Sequence, residues 1–342
     1  MKKRLAAFLA MALSASMLLA GCGSDAAETT AAAAAETKAE AAATEAAAPS
    51  ADAEKLTMGT GGTTGTYYAF GGVIANVING KDVGVNINVQ STGASKANIY
   101  LVNDGEADLA IVQNDVMDYG YNGTDLFAEE GAASEFATVG ALYAEVCQVV
   151  STKDITSIAD LKGKRVSVGD AGSGTEFNAR QILGAYDIAF DDIQVENLDF
   201  GNSATALKDG KIDAFFCVAG APTNNIVDLC TNTTISILGV DDEHVSILQK
   251  DYSFYTAYNI DAGTYNGVDY DVQAVAVKAT MLVSDELSED VVYALTKALF
   301  ETADQMNHEK ASFLTPEYAV DGFDDMPIHP GALKYYQEVG VK

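Results

Sequence analysis

Two glycine-rich segments contain the residues of this chain that are best suited to bind a small molecule. The first, GTGGTTGTYY, runs from Gly59 to Tyr68, and the second, GDAGSGTE, runs from Gly169 to Glu176. Because glycine has no Cβ and allows positive φ angles, such segments expose backbone N–H groups to a ligand. The first segment is not a common phosphate loop, since Thr64 stands where a dinucleotide fingerprint needs glycine and the P-loop lysine is absent.

Each glycine segment follows an apolar strand pattern and precedes a helical pattern, so each predicts the beginning of a helix. The free N–H groups and the positive end of a helix N-terminus favour a carboxylate. Tight turns that serve the backbone alone are the alternative for either segment, but two such segments in equivalent places favour binding.

The surrounding sequence is an internal repeat. The segment NDGEADLAIVQ, Asn103 to Gln113, resembles KDGKIDAFFCV, Lys208 to Val218. Each half has the order strand, glycine loop, helix, strand, helix, Asp-Gly turn and strand, which predicts an α/β fold with two parallel-sheet lobes. Two long β-rich runs, Thr138 to Thr152 and Val272 to Ser284, are predicted to connect the lobes as hinges.

The predicted domain boundaries follow from these connections. Lobe 1 comprises residues 56–145 together with 276–342, and lobe 2 comprises residues 146–275. Ligands of open parallel sheets bind outside the carboxyl ends of the strands, so the loops there predict a cleft between the lobes. The predicted ligand-binding residues are Thr63, Thr66, Tyr67, Ser91, Gln113, Ser173, Gly174, Thr175, Gly220 and Pro222.

Gln113 is the strongest polar candidate among them. It ends the apolar run LAIV, where an unpaired amide would be costly to bury, so a ligand or a neighbouring loop must satisfy it. Tyr67 could instead pack under its loop, in which case Tyr68 would face the solute. For Arg180, a surface or packing role is favoured over contact with the ligand.

The sequence contains no convincing catalytic or metal-binding set, so no enzyme activity, cofactor or metal is predicted. Ser173 lacks the outer glycines of a nucleophile elbow. His244, His308 and His329 lie far apart in the sequence without zinc-ligand spacing.

The N-terminus predicts export and lipid anchoring. Residues 1–21 have a basic start, an apolar run and the ending L-A-G before Cys22, which is typical of a lipoprotein signal with acylation of that cysteine. An ordinary signal with a chance cysteine is the alternative. Residues 22–55 are rich in Ala, Glu and Thr and predict a tether. The location predicted is the outer face of the cell membrane.

Charge and cysteine content narrow the partners. The formal net charge of −29 excludes nucleic acid, and repulsion from anionic lipid leaves the lipid anchor as the predicted contact with the membrane. Cys147, Cys217 and Cys230 stand beside apolar residues, which favours buried thiols, with a single bridge as the alternative.

Six motifs, in order between Leu56 and Gly340, together resemble the TAXI group of solute receptors of tripartite ATP-independent periplasmic (TRAP) transporters. The resemblance implies a two-lobed periplasmic-binding-protein type II fold and delivery of a small carboxylate or amino acid, such as glutamate, to TRAP permease subunits in the membrane. The motifs are GTGGTTGTYYAFGG, NDGEADLAIVQND, LKGKRVSVGDAGSGTE, LKDGKIDAFFCVAGAPT, ELSEDVVYALTKALFE and IHPGALKYYQE.

Two other function classes make different predictions. A surface-anchored α/β enzyme that acts on a phosphorylated or nucleotide ligand predicts turnover and phosphate binding. A purely structural lipoprotein or adhesin predicts no saturable binding of a small molecule.

Overall fold

The computed structural model describes residues 53–152, 154–322 and 326–342. The predicted signal peptide, the acylated Cys22 and all but the end of the predicted tether lie outside the described residues.

The described residues contain ten β-strands, and two units of strand, helix, strand, helix and strand among them follow the order that the repeat predicts. The strands are β1 (Glu54–Gly59), β2 (Val85–Gln90), β3 (Leu109–Gln113), β4 (Phe136–Thr152), β5 (Arg165–Ser167), β6 (Gln194–Glu196), β7 (Ala214–Ala219), β8 (Ile235–Leu238), β9 (Thr256–Ile260) and β10 (Val272–Ser284). The helices are α1 (Thr66–Asn79), α2 (Ser95–Asn103), α3 (Asn114–Asn122), α4 (Gly174–Ala185), α5 (Phe200–Lys208), α6 (Asn224–Cys230), α7 (Asp242–Asp251), α8 (Glu289–Glu301), α9 (Pro316–Val320) and α10 (Pro330–Glu338).

The strands form a sheet whose order is β2-β1-β3-β10-β4-β7-β5-β6. The order 2-1-3 of the first half is mirrored by 7-5-6 in the second, and within each half the strands are parallel. The predicted duplication of an α/β unit is therefore confirmed. We call β1 to β3 with their helices the first half, and β5 to β7 with theirs the second half.

The two long strands cross between the halves. β10 is antiparallel to β3 and β4, while β4 is antiparallel to β10 and β7. Val146 of β4 pairs with Ala276 on one side and with Ala219 on the other. β4 thus leaves the first half and enters the second at this residue, as the prediction of two connecting strands requires.

Apolar clusters cover both faces of the sheet in each half. The sequences of β3 and β7, LAIVQ and AFFCVA, are buried along their whole length, as in parallel strands covered by helices on both sides. The three described cysteines are free and buried within or beside these clusters, which confirms the prediction of buried thiols.

The C-terminal helices differ slightly from the predicted pattern. The apolar spacing from Asp290 to Asn307 predicts a single helix, but α8 ends at Glu301 and a short 3-10 turn, Ala303–Gln305, follows. The helix begins where the Ser288 side chain accepts a hydrogen bond from the Val291 amide.

Candidate functional site

A cavity lies between the two halves, at the carboxyl ends of β1 and β5. The centres of water molecules can occupy about 40 Å³ of it, and its empty space is about 530 Å³ when the opening to solvent is included. From Gly61 through β4 the lining residues are Gly61, Gly62, Thr64, Gly65, Thr66, Tyr67, Ala94, Ser95, Gln113 and Glu145; from the second half they are Asp170, Ser173, Gly174, Thr175, Asp199, Phe200, Val218 and Ala219.

The glycine loop of the first half leaves the start of α1 uncapped. Its N-cap residue, Gly65, provides no side chain, and the first turn contains no acidic residue. The amides of the first helical turn have no intrahelical acceptor, so those of Thr66, Tyr67 and Tyr68 are donors at the positive end of the helix. The glycines of this loop do not have positive φ. They provide close approach instead, since a Cβ at Gly59 would lie 2.8 Å from the Asn98 side chain.

The glycine loop of the second half is different because its own side chains cap α4. The Ser173 hydroxyl accepts a hydrogen bond from the Glu176 amide at 3.3 Å. The Glu176 carboxylate accepts one from the Gly172 amide at 2.6 Å and places a negative charge in the first turn. Here the turn does require glycine, because Gly169 and Gly172 have φ of 91° and 76°. This helix start is less open to an anion than that of α1.

Gln113 bridges the two halves. Its Nε2 donates a hydrogen bond to Asn178 Oδ1 on α4 at 2.7 Å, while its Oε1 is buried without a partner among the described residues. The Gln113 amide lies against the backbone of Gly174, where a Cβ would overlap it. Glycine at this position therefore allows the end of β3 to contact the start of α4.

A buried polar network fixes the orientation of that amide. Asn178 Nδ2 donates hydrogen bonds to Asp115 Oδ2 at 3.0 Å and to the Tyr255 hydroxyl at 2.8 Å. Because a carboxylate only accepts, the Asn178 amide must direct its nitrogen toward Asp115 and its oxygen toward Gln113. The Tyr255 hydroxyl donates in turn to Gln181 at 2.7 Å.

Burial in this network raises the pKa of Asp115 to about 6, although the hydrogen bond from Asn178 opposes the shift. The charges of Arg165 and Arg180 are engaged elsewhere, in ion pairs with Asp213 and Glu176. The Asp115 Oδ1 atom has no partner among the described residues. An acid so placed loses its proton at a higher pH than a free aspartic acid does.

Glu145 stands on the floor of the cavity, one residue before β4 enters the second half. It is 2% exposed, and its Oε2 accepts a hydrogen bond of 2.6 Å from the Tyr67 hydroxyl. Loss of hydration raises the pKa of the Glu145 carboxyl well above its usual range. The cavity thus has a buried acidic group at its base and an open helix N-terminus in its wall.

Two further hydrogen bonds cross between the halves beside the cavity. The Gly220 amide donates to Thr66 Oγ1 at 3.2 Å. Lys310, on the 3-10 helix Glu309–Phe313, is buried and donates from Nζ to the Ala221 carbonyl at 2.5 Å. The halves are therefore in direct contact around the cavity.

Six of the ten predicted ligand-binding residues come together in the cavity wall: Thr66, Tyr67, Gln113, Ser173, Gly174 and Thr175. The other four lie outside it. Thr63 is exposed and borders an outer groove, and Ser91 is turned away because its hydroxyl donates to the Gly61 carbonyl at 2.8 Å. Gly220 contacts Thr66 behind the wall, and Pro222 borders another outer groove.

Sequence reasoning missed Glu145, Ser95, Asp170 and Asp199 as lining residues. A signal for Glu145 was available, because it is the one charged residue in the seventeen-residue strand β4. Asp199 also caps α5, since its Oδ1 accepts from the Asn202 amide at 2.9 Å. An N-cap aspartate is a common structural residue, so its place in the cavity wall could not be recognised from sequence.

Arg180 is not a lining residue. Its guanidinium lies over the Phe190 ring at 3.8 Å, and its side chain is 53% exposed. Within the described residues there is no cluster of three or more His, Cys, Asp or Glu side chains that could hold a metal ion. The same part of the chain has no helix that is long and apolar enough to span a membrane.

One protein-family model and several solved structures are similar to this chain. The sequence model of the NMT1-like family matches residues 58–340. A structure from Bordetella bronchiseptica RB50 is similar to this chain with a TM-score of 0.52 and 18% identity, covering 84% of this chain and 83% of the other.

Two other solved structures are similar at lower scores. The alkanesulfonate-binding protein SsuA from Xanthomonas axonopodis pv. citri, bound to MOPS, gives a TM-score of 0.49 at 15% identity, with 86% of this chain and 82% of the other covered. The periplasmic aliphatic sulphonate binding protein SsuA from Escherichia coli gives 0.44 at 14% identity, with 83% of each chain covered. The mirrored strand order confirms the predicted α/β fold with two duplicated halves, and the likeness to the Bordetella structure agrees with it.

Proposed function

The chain belongs to the NMT1-like family, and from this membership we propose that it is an extracytoplasmic solute-binding protein rather than an enzyme. The observation that carries the proposal is the cavity itself, which is enclosed between two duplicated halves and lined by residues of both. Hydrogen bonds from Gln113 to Asn178 and from Gly220 to Thr66 hold the halves together around it. A solute that contacts both halves would favour this closed form by its differential affinity.

The proposed solute is a small molecule with a carboxylate, and an amino acid agrees better with the lining than a plain carboxylate does. The open amides at the start of α1 offer donors to a carboxylate. The wall and floor also contain the acidic residues Glu145, Asp170 and Asp199, and among the described residues no Lys, Arg or His lines the cavity. These acids would repel a second negative charge and attract an amino group.

The proposed partner is a membrane permease of the TRAP type, which the resemblance of the six motifs to TAXI receptors supports. Acylation of Cys22, with residues 22–55 as a tether, would hold the binding body at the outer face of the membrane. This anchoring rests on the sequence of the N-terminal segment alone.

Binding is tested by thermal unfolding of the purified protein with a panel of amino acids, monocarboxylates, dicarboxylates and nucleotides. A solute at a concentration 100 times its Kd is expected to stabilise the protein by about 2.7 kcal/mol. Mass spectrometry of small molecules released by denaturation identifies any solute that copurifies. Stabilisation by nucleotides alone would contradict the proposal, and so would a chain that neither carries nor binds a small molecule.

A further inference from the structure

Glu145 is a buried acid for which the described residues provide no cation. Its carboxylate takes part in no ion pair within 4.0 Å, and its described hydrogen bond comes from the neutral hydroxyl of Tyr67. The titratable groups that interact with it from the surrounding elements are all acids or neutral: Tyr67, Tyr143, Cys147, Asp115, Cys217 and Tyr318.

The nearby lysines do not offset this charge. Lys278, whose neighbour Val277 pairs with Glu145 across the strands, directs its ammonium to Asp321 at 2.6 Å. Lys310 is held by the Ala221 carbonyl and by Glu309 at 2.9 Å. Burial without a partner favours the neutral form of this carboxyl, and a cation brought by the solute would favour the ionised form, with release of the proton.

The cavity limits the shape and charge of that solute. Tyr67 lies in the first turn of α1, whose free amides are the donor site for a carboxylate. Its hydroxyl reaches Glu145, which is the acceptor site, so Tyr67 contributes to both sites. Asp170 and Asp199 add acidic groups on the opposite side. A short molecule with a carboxylate at one end and an ammonium group beside it matches this arrangement. The second carboxylate of a dicarboxylate would instead be repelled by the three acidic residues.

We propose that Glu145 binds the ammonium group of the solute and thereby makes the cavity selective for small amino acids with uncharged side chains over dicarboxylates. The inference rests on the proposed solute-binding function and specifies the substrate class of the same cavity. Glu145 is the specificity-determining residue, and the α1 amides receive the carboxylate. The space that the centres of water molecules can occupy is only about 40 Å³, which favours a side chain of few atoms.

The first test uses the unaltered protein and pairs of probes that differ by the amino group. Titration calorimetry compares glycine with acetate, L-alanine with propionate, and L-glutamine with L-glutamate. The amino acid is expected to bind about tenfold or more tightly than its deaminated counterpart, and glutamine more tightly than glutamate, because a charge-assisted hydrogen bond is lost or repulsion is added. Equal or tighter binding of acetate, propionate or glutamate would overturn the inference.

The second test uses Glu145→Gln, with Glu129→Gln as a control that removes an equal charge from an exposed position. Glu145→Gln should lower the affinity for the amino acid by about tenfold or more, so that the amino acid loses its advantage over the deaminated probe. The control should leave both affinities within about twofold. Thermal unfolding without solute verifies the fold of each variant, and an unchanged preference in folded Glu145→Gln would overturn the inference.

The two levels of the hypothesis fail differently. If a carboxylate without an amino group binds and copurifies, the solute-binding function stands and the role of Glu145 is wrong. If only nucleotides bind, or no small molecule does, the proposed function itself is wrong and the inference falls with it.

Discussion

The two glycine-rich loops occupy equivalent places in the duplicated halves, yet only the second caps the N-terminus of its helix with side chains. In the second half, Ser173 and Glu176 satisfy local amides and add a negative charge. In the first half, Gly65 leaves the corresponding donors of α1 without a side-chain cap. The repeat therefore preserves the path of the chain, while single residues decide which helix can receive an anion.

The loops after β3 and β7 differ in the complementary way. The first half has Gln113, Asn114 and Asp115 at this place, and the second half has small residues such as Gly220 and Ala221. The Gln113 and Asp115 side chains hydrogen-bond to Asn178 of α4, whereas the small residues let Thr66 and Lys310 approach the backbone. The two halves can thus pack together, because the second half has small residues where the first half has larger polar side chains.

The largest expected effect concerns Asp115. The second half has small residues at the equivalent place. Burial raises its folded pKa to about 6 from 3.8. The folded state therefore carries a penalty that is absent below the unfolded pKa and complete above pH 6, and stability from this group falls as the pH rises between the two. The full shift corresponds to about 3 kcal/mol.

Asp115→Asn removes this titration while an amide oxygen can still accept from Asn178. Urea unfolding should show that the variant gains stability relative to wild type by up to about 3 kcal/mol between pH 4 and pH 7. Asp269→Asn, at an exposed position, serves as the control. A difference from wild type that stays constant over this pH range would show that Asp115 carries no such penalty.

The second effect tests the contact between Gly174 of the second glycine loop and the Gln113 amide of the first half. Gly174→Ala should lower the free energy of unfolding by about 1 to 3 kcal/mol, because its Cβ would displace the Gln113 amide from Asn178. Gly62→Ala is the matched control in the first loop, where an added Cβ meets nothing within 4 Å. The cost should shrink when Gln113→Ala is combined with Gly174→Ala, in a double-mutant cycle measured by chemical denaturation. An equal loss of unfolding free energy in Gly174→Ala and Gly62→Ala would contradict this role of Gly174.

The smallest effect tests the caps themselves. Ser173→Ala should cost about 1 kcal/mol of unfolding free energy, since the Glu176 amide loses its acceptor. Gly65→Ser should add no more than a few tenths of a kcal/mol, because the new Cβ lies 3.3 Å from the Gly62 carbonyl. Thermal denaturation of the two variants compares them directly. A loss at Gly65→Ser as large as that at Ser173→Ala would mean that the first loop already has an effective cap.

The sequence by itself determined the duplicated α/β fold, because the alternation of buried strands, glycine loops and helices is a local pattern that repeats. It also predicted the two connecting strands, whose long apolar runs are visible without a structure. Six of the ten predicted binding residues line the cavity, because they stand at the carboxyl ends of parallel strands or in the loops that follow them, as the sheet geometry requires.

Only the tertiary structure decided which side chains line that cavity. Glu145 reaches its floor because β4 crosses between the halves at the next residue, which the periodicity of a single strand does not reveal. Thr63 and Ser91 lie outside it: Thr63 is exposed at an outer groove, and the Ser91 hydroxyl donates to the Gly61 carbonyl. The partner of Gln113 is Asn178, sixty-five residues away, and such a contact depends on how two halves meet, since propensity and spacing describe only neighbours along the chain.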